Sequence, residues 1–150
     1  MAYELTTETN QVIQYIVVNI GEEQYGVDIG YIDNIVRMQS ITRVPKVPSY
    51  LKGVINLRGV IVPVMSLRLK MGLAADEITK DTRIIIIKTG QELVGIMVDS
   101  VKEVVNINMD EVERVTFENR DEHSGYVMGV GKQGDTLISL LDINAVFADV

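Results

Sequence analysis

Hydrophobic residues in this chain form short runs, rich in valine and isoleucine, that are separated by glycine and polar turn residues. β-branched runs bounded by turn residues are typical of β-strands. The pattern predicts strands at residues 12–20, 24–29, 35–38, 54–57, 60–67, 82–89, 92–98, 102–107, 126–130 and 136–143. The sequence therefore predicts a mainly β protein.

A few segments break the strand pattern. Residues 66–72 and 144–149 are predicted to form short helices, and residues 73–81 to link two parts of the chain. The apolar spacing of three between Ile29 and Ile35, and again between Val98 and Val104, predicts a bend or a single helical turn. In NMDEVERV (108–115), Asn108 is followed three residues later by Glu111, which is a pattern typical of a helix start.

One supersecondary unit occurs twice. IVVNIGEEQYG at residues 16–26 matches IIIKTGQELVG at 85–95 with an offset of 69, and VIVPVMSL at 60–67 resembles TLISLLDI at 136–143 with an offset of 76. Each copy carries about five predicted strands, which is too few to bury a good core alone. We therefore expect the copies to pack face to face as small closed barrels, which would also protect the strand edges.

Composition limits the classes of function. The chain has 150 residues, 47% of them hydrophobic, and its 14 basic against 21 acidic residues give a net charge of −7. Nucleic acid and anionic lipid bind proteins through clustered Lys and Arg side chains, which an acidic chain does not favour. A partner protein with a basic or mixed surface suits this chain better. It contains no cysteine, no signal-peptide pattern and no long apolar run, which favours a cytoplasmic protein.

Catalytic and metal-binding patterns are weak. GVGKQG at 129–134 matches a nucleotide-binding glycine motif, but a strand follows it rather than a helix, which favours a glycine-rich hairpin. His123 is the single histidine and lies in a polar stretch, so no histidine metal cluster can form. Asp28, Asp33 and Asp99 fall near strand ends, where aspartate is usually a turn former. We predict no catalytic residue, no metal site and no cofactor.

The stretch GVINLRGVIVPV (53–64) places Arg58 and Gly59 between two apolar runs, which predicts a tight hairpin that presents the arginine. The sequence leaves two alternatives for Arg58, a solvated turn residue or a contact at an interface. A second open question concerns the apolar residues at the two equivalent bends, which either line the core or form a docking ridge. These residues are Ile32, Ile35, Val98, Val101 and Val104.

Three segments together resemble the CheW-like chemotaxis coupling proteins. They are YGVDIGYIDNIVR, ITRVPKVPSYLKGVINLRGVIVPVMSLR and VGIMVDSVKEVVNI, and the likeness runs from about residue 12 to 147. The specific part is the pattern V-P-x-x-P-x-x-x-x-G-V-x-N-L-R-G-x-I-x-P-V, which starts at Val44 and ends at Val64. Within it, Asn56, Leu57 and Gly59 surround Arg58.

The resemblance implies a single CheW-like domain over residues 1–150, built from two SH3-like five-stranded barrels around a shared hydrophobic core. The first barrel is expected at about 12–72 with contacts from the C-terminal segment, and the second at about 82–147. The implied function is that of a non-enzymatic adaptor that binds the regulatory domain of the chemotaxis histidine kinase and the cytoplasmic tip of chemoreceptors. The implied location is the cytoplasm, at receptor clusters on the inner membrane, with no insertion into the membrane.

The resemblance also implies site residues. Ile32, Asn34, Ile35 and Gly53 are expected on the kinase-binding surface, although Asn34 stands where such adaptors usually have glutamate. The expected receptor-binding residues are Arg58, Val98 and Val104.

Two other classes of function remain as alternatives. A small-molecule-binding β-barrel or small enzyme would need convergent polar groups inside the strands, whereas the inward positions are Val, Ile, Leu and Met. A nucleic-acid-binding barrel would need a basic aromatic face, which 5% aromatic residues and excess acid do not favour.

Overall fold

The computed structural model describes residues 11–114 and 124–148. Eleven strands form in this part of the chain. They are β1 (Val12–Ile20), β2 (Glu23–Asp28), β3 (Ile32–Arg37), β4 (Leu51–Leu57), β5 (Val60–Ser66), β6 (Arg83–Thr89), β7 (Glu92–Val98), β8 (Ser100–Asn108), β9 (Glu113–Arg114), β10 (Val127–Gln133) and β11 (Thr136–Leu141). All ten predicted strands are present, with ends that differ by a few residues, and the two-residue β9 is additional.

The helices are short. α1 (Leu67–Lys70) and α2 (Ile143–Val146) lie within or beside the predicted helical segments, and single 3-10 turns occupy Ile29–Tyr31, Met109–Glu111 and Ser124–Tyr126. The helical start predicted at Asn108 is confirmed, because its side chain accepts a hydrogen bond from the Asp110 amide. Of the two equivalent bends, only the first contains a helical turn, since β8 starts directly after Asp99.

The strands form two sheets. The six-stranded sheet has the order β8-β1-β2-β11-β10-β9, and the five-stranded sheet has the order β3-β6-β7-β5-β4. A Cβ atom on Gly131 of β10 would lie 3.3 Å from the Ile107 side chain of β8, so the two sides of the first sheet approach each other there. In the second sheet Thr42, beyond β3, exchanges two backbone hydrogen bonds of 2.8 Å with Val54 on β4. Each sheet thus curls towards a small barrel, which fits the predicted SH3-like architecture.

The barrels exchange strands between the two sequence repeats. The hairpin β1–β2 of the first repeat joins β8, β10 and β11 of the second, whereas β6–β7 of the second repeat joins β3, β4 and β5 of the first. The parallel pairs β2–β11 and β5–β7 are the seams of this exchange. The sheets therefore cross the boundaries expected at about 12–72 and 82–147, because each repeat donates its leading hairpin to the other barrel.

Alternation along the exchanged hairpins creates three hydrophobic clusters. On β6, Ile84 and Ile86 point into the five-stranded barrel, while Ile85 and Ile87 point into the core between the barrels. β1 is arranged in the same way, with Tyr15 and Val17 in the six-stranded barrel and Ile16 and Val18 in the shared core. The predicted shared core is confirmed, and it explains why these strands are apolar at every position of their central part.

The ends of the repeats are also matched. Ser66 and Asp142 cap α1 and α2, accepting hydrogen bonds from amides three residues later, and their own amides donate to the carbonyls of Tyr50 and Tyr126. Buried Lys70 lies between the two tyrosines, with Nζ 4.1 Å from the Tyr50 ring centroid and 5.4 Å from that of Tyr126. Cation–π contacts of one ammonium group with a tyrosine from each repeat stabilise the packing of the two repeats.

Candidate functional site

The Arg58 hairpin is a two-residue turn, as the sequence predicts. Leu57 pairs with Val60, and both turn residues have positive φ, 54° at Arg58 and 86° at Gly59. This is the geometry of a type I′ turn, which favours asparagine or glycine at its first position. The Asn56 side chain accepts a 2.8 Å hydrogen bond from the Gly59 amide, which fixes the turn. Arg58 therefore occupies a strained, rigid position in which arginine is unusual.

The surface around Arg58 is apolar. Arg58 and Asn56 are exposed, and the neighbouring Val60 and Ile61 are 49% and 60% exposed. Ile61 lies directly opposite Asn56, so these two side chains share one face of the hairpin. Val60 and Ile61 are site candidates that the sequence did not single out, because their run 60–65 has the composition of a buried strand. We call Asn56, Arg58, Val60 and Ile61 the hairpin surface.

The predicted kinase-binding residues of β3 lie on an edge strand. Ile32 and Ile35 pair with Ile87 and Ile85, and they pack against the shared core while remaining half-buried. The register shifts between Ile32 and Asn34, and the side-chain Oδ1 of Asn34 accepts a 2.8 Å hydrogen bond from the Ile35 amide. We call the exposed side of Ile32, Asn34 and Ile35 the β3 surface.

Gly53 is not part of an exposed surface. It is buried in β4 with φ of 143°, and a Cβ atom there would lie 2.2 Å from the Thr42 carbonyl oxygen. Only glycine allows this approach, which is the contact that closes the five-stranded barrel. Its observed contacts are thus internal to the fold.

The two predicted valines of the second repeat differ sharply in exposure. Val98 is fully buried in the shared core, because β7 is an interior strand covered on both faces. It offers no surface to a partner, contrary to the expected role. Val104 is 51% exposed on the edge strand β8, where it pairs with Ile16. Arg58 lies in the turn between β4 and β5, whereas Val98 and Val104 lie on β7 and β8.

The other residues with candidate chemistry do not converge. Asp28 caps the 3-10 turn by accepting a hydrogen bond from Gly30, and Asp33 is exposed. Asp99 binds Arg68 and the Gly21 amide, and these hydrogen bonds, led by that from Arg68, hold the pKa of its carboxyl below the ordinary value. The GVGKQG segment forms β10 and its turn, as predicted. His123 lies outside the described residues.

Residues 11–114 and 124–148 contain no group of three His, Asp or Glu side chains placed to hold a metal ion. Within the same residues, no helix has the length and apolar character needed to span a membrane. The interiors of the two barrels are filled by apolar side chains.

Comparison with known proteins identifies the family of this chain. The family model described as CheW-like domain matches residues 14–150. "Chemotaxis protein CheW" of Helicobacter pylori is 35% identical over 139 residues, covering 93% of this chain and 84% of that protein. "Chemotaxis protein CheW" of Bacillus subtilis is 34% identical over 142 residues, covering 95% and 91%.

A solved structure agrees in fold. The scaffolding protein TtCheW from Thermoanaerobacter tengcongensis superposes with a TM-score of 0.82 at 34% identity, covering 93% of this chain and 94% of that one. The match extends across both barrels, since it spans nearly the full length of each chain. This chain therefore belongs to the CheW-like family and is an adaptor protein of chemotaxis signalling.

Proposed function

We propose that this protein is a non-enzymatic adaptor that couples the cytoplasmic tips of chemoreceptors to the regulatory domain of the chemotaxis histidine kinase. The observation that carries the proposal is the pair of surfaces with no residue in common, the hairpin surface at β4–β5 and the β3 surface, on one β framework. An adaptor needs two such contact regions, so that one partner does not exclude the other. Its place is the cytoplasm, at receptor clusters on the inner membrane.

The hairpin surface suits the receptor tip. Arg58 starts from a fixed turn, so its guanidinium loses less freedom on binding than a flexible side chain would. Its planar fork can take a carboxylate with two hydrogen bonds, while Val60 and Ile61 supply exposed apolar area beside it. A receptor tip, as a helical hairpin, presents both carboxylates and apolar side chains.

The β3 surface suits the kinase domain, whose fold is expected to be similar to that of the adaptor. Among the described strands, β3 pairs with β6 alone, so its other backbone edge has no strand partner there. Half-buried Ile32 and Ile35 add apolar contact area, and their packing against the shared core holds them in place. Packing of such an edge against another barrel buries both the edge and these side chains.

We retain Val104 in the proposed receptor-binding surface and exclude Val98 from it, because Val98 is fully buried. By the offset of 69 found in the sequence, Val104 is the counterpart of Ile35. Both lie on edge strands and pair with residues of the shared core, Ile16 and Ile85. Of these two counterparts, Val104 is the more exposed, which makes it the better candidate for a contact outside the chain.

A ligand-binding or enzymatic barrel is less consistent with the interior. The six-stranded barrel is filled by the cluster around Tyr15 and Val17, and the five-stranded barrel by the cluster around Ile55 and Ile84. A small-molecule site needs polar groups that converge in a cavity, and these clusters consist of apolar side chains together with the Tyr15 ring.

The proposal is tested by recovery of partners from a detergent-solubilised whole-cell extract, which contains membrane receptors, with the purified chain as bait. We expect the histidine kinase and chemoreceptors to be retained together. An Arg58→Glu bait should lose the receptors first, while the exposed-site variant Lys132→Glu serves as a control for the added negative charge. Recovery of neither partner by the unchanged chain would refute the coupling function and favour a small-molecule-binding barrel.

A further inference from the structure

A groove of about 670 Å³ lies on the five-stranded barrel, between the loop 43–49 and residues of the link between the repeats. It contains neither Arg58 nor any residue of β3, so it is separate from the two surfaces described above. Its size falls within the range of about 300–1,000 Å³ that is usual for ligand sites. Its lining residues come from parts of the chain that are distant in sequence, such as Lys52 on β4 and Ile78 in the link between the repeats.

The groove is basic in an acidic protein. Arg43, Lys46 and Lys52 line it together with the single acid Asp76, whereas the whole chain carries a net charge of −7. In the part of the chain that the structure describes, none of these three cations takes part in an ion pair or a side-chain hydrogen bond. Their charge is therefore available to an anionic ligand.

The loop that carries two of these cations is rigid. Pro45 and Pro48 fix φ on either side of Lys46, which itself has a positive φ of 62°. The Leu51 amide closes the loop by donating a 3.0 Å hydrogen bond to the Pro48 carbonyl. In the link between the repeats, Asp76 accepts a hydrogen bond from the Ser66 hydroxyl. Because these contacts already fix the loop, little conformational entropy of the groove is lost when a ligand binds.

The groove also offers apolar contacts. Val44 and Ile78 line it and are 38% and 63% exposed. None of its described lining residues is aromatic, so it has no surface on which a nucleobase would stack. Arg43, Lys46 and Lys52 line a concave groove rather than a broad exposed face, which does not suit a membrane surface or a nucleic acid.

We propose that this groove binds an extended acidic peptide segment of a partner protein, with carboxylates at Arg43, Lys46 and Lys52 and an aliphatic side chain on Val44 and Ile78. This goes beyond the receptor and kinase contacts, because it gives the adaptor a third binding site. The peptide is recognised by charge and by one apolar contact, which is a mode of moderate affinity and strong salt dependence.

The test is selection from a random-peptide display library on the immobilised full chain. Counter-selection uses the triple variant Arg43→Gln, Lys46→Asn, Lys52→Gln, in which asparagine tolerates the positive φ of Lys46. A matched control carries Lys88→Gln, Lys102→Gln and Lys132→Gln, three exposed cations outside the groove. Thermal melts establish that both triple variants are folded.

We expect enriched peptides to combine Asp or Glu with aliphatic residues. Synthetic copies of the enriched peptides should bind the groove variant about tenfold or more weakly than they bind the unchanged chain. Their affinity for the control variant should be close to that for the unchanged chain. Absence of enrichment, enrichment of basic peptides, or equal loss in both variants would overturn the proposal. Binding of phosphatidylglycerol vesicles that fails in the groove variant alone would also overturn it, by assigning the groove to lipid.

Discussion

The guanidinium of Arg68 holds the carboxylate of Asp99 with two hydrogen bonds, 2.8 Å from Nε and 2.6 Å from Nη2. Asp99 also accepts a 2.7 Å hydrogen bond from the Gly21 amide, in the turn between β1 and β2. Asp99 is the residue at which the chain leaves the five-stranded sheet and enters the six-stranded one. The pair therefore joins the two barrels at a crossing point.

Loss of this pair should destabilise the protein. In a double-mutant cycle with Arg68→Ala and Asp99→Ala, we expect a coupling energy of about 1–3 kcal/mol, because two charge-assisted hydrogen bonds join side chains that are only 21% and 27% exposed. Chemical denaturation of the four proteins measures it. The control cycle is Lys102 with Glu103, whose side chains are 43% and 51% exposed at 3.8 Å, and it should give about 0–1 kcal/mol. Equal coupling in both cycles would show that the Arg68–Asp99 contact has no special role.

The same pair predicts how stability depends on pH. The hydrogen bond from Arg68, followed by that from the Gly21 amide, lowers the pKa of Asp99 below 3.8. A carboxyl whose pKa is depressed by folding stabilises the folded state above its unfolded pKa, and this stabilisation is lost as the pH falls through the folded pKa. The difference in unfolding free energy between the unchanged chain and Asp99→Asn should thus be largest at neutral pH and shrink below pH 3.8. A difference that stayed constant in acid would exclude a contribution from the charge.

Gly53 should tolerate no side chain. Gly53→Ala places a methyl group 2.2 Å from the Thr42 carbonyl oxygen at a φ of 143°, so we expect a loss of about 3 kcal/mol or more. Gly125→Ala is the matched control, because open space surrounds that position, and it should change stability by about 0.5 kcal/mol or less. Thermal and denaturant unfolding compare the two. Weaker kinase binding by a Gly53→Ala variant of unchanged stability would instead support the direct contact that the resemblance implies.

Separated halves of the chain should not fold. Fragments 1–75 and 76–150 each contain strands whose partners lie in the other fragment, such as β2 with β11 and β7 with β5. We expect each fragment to be unfolded or aggregated alone and the mixture to recover the β-sheet circular dichroism of the whole chain. Two soluble halves with independent sharp melting transitions would contradict the exchanged strand order.

The repeat offset was sufficient to predict the elements but not their pairing. The match between residues 16–26 and 85–95 identifies two equivalent hairpins. It carries no information on whether each hairpin stays in its own barrel, since exchanged and unexchanged arrangements bury the same residues. The pairing depends instead on the parallel seams β2–β11 and β5–β7, which join residues far apart in sequence.

Exposure was the hardest property of the site to predict. Val98 and Ile61 both belong to apolar runs, yet one is fully buried and the other is 60% exposed. β7 contributes side chains to two hydrophobic clusters, whereas Ile61 lies at the exposed turn end of the β4–β5 hairpin, and local alternation does not distinguish these cases. The Arg58–Gly59 turn was predictable, because it depends only on adjacent residues. The basic groove was not, since Lys52 and Ile78 meet only in the folded chain.

The most direct test of the adaptor account is a parallel titration of a receptor-tip fragment and the kinase regulatory domain against Arg58 variants. Arg58→Glu should impair receptor binding, and Arg58→Lys should restore it only in part because the planar fork is absent. Arg58→Asn should also lose receptor binding while melting at the same or a higher temperature, since asparagine suits the positive φ of 54°. Kinase binding should be unchanged in all three variants, because the β3 surface is separate. Equal receptor binding by every variant, or loss of both partners together with a large fall in melting temperature, would contradict the account.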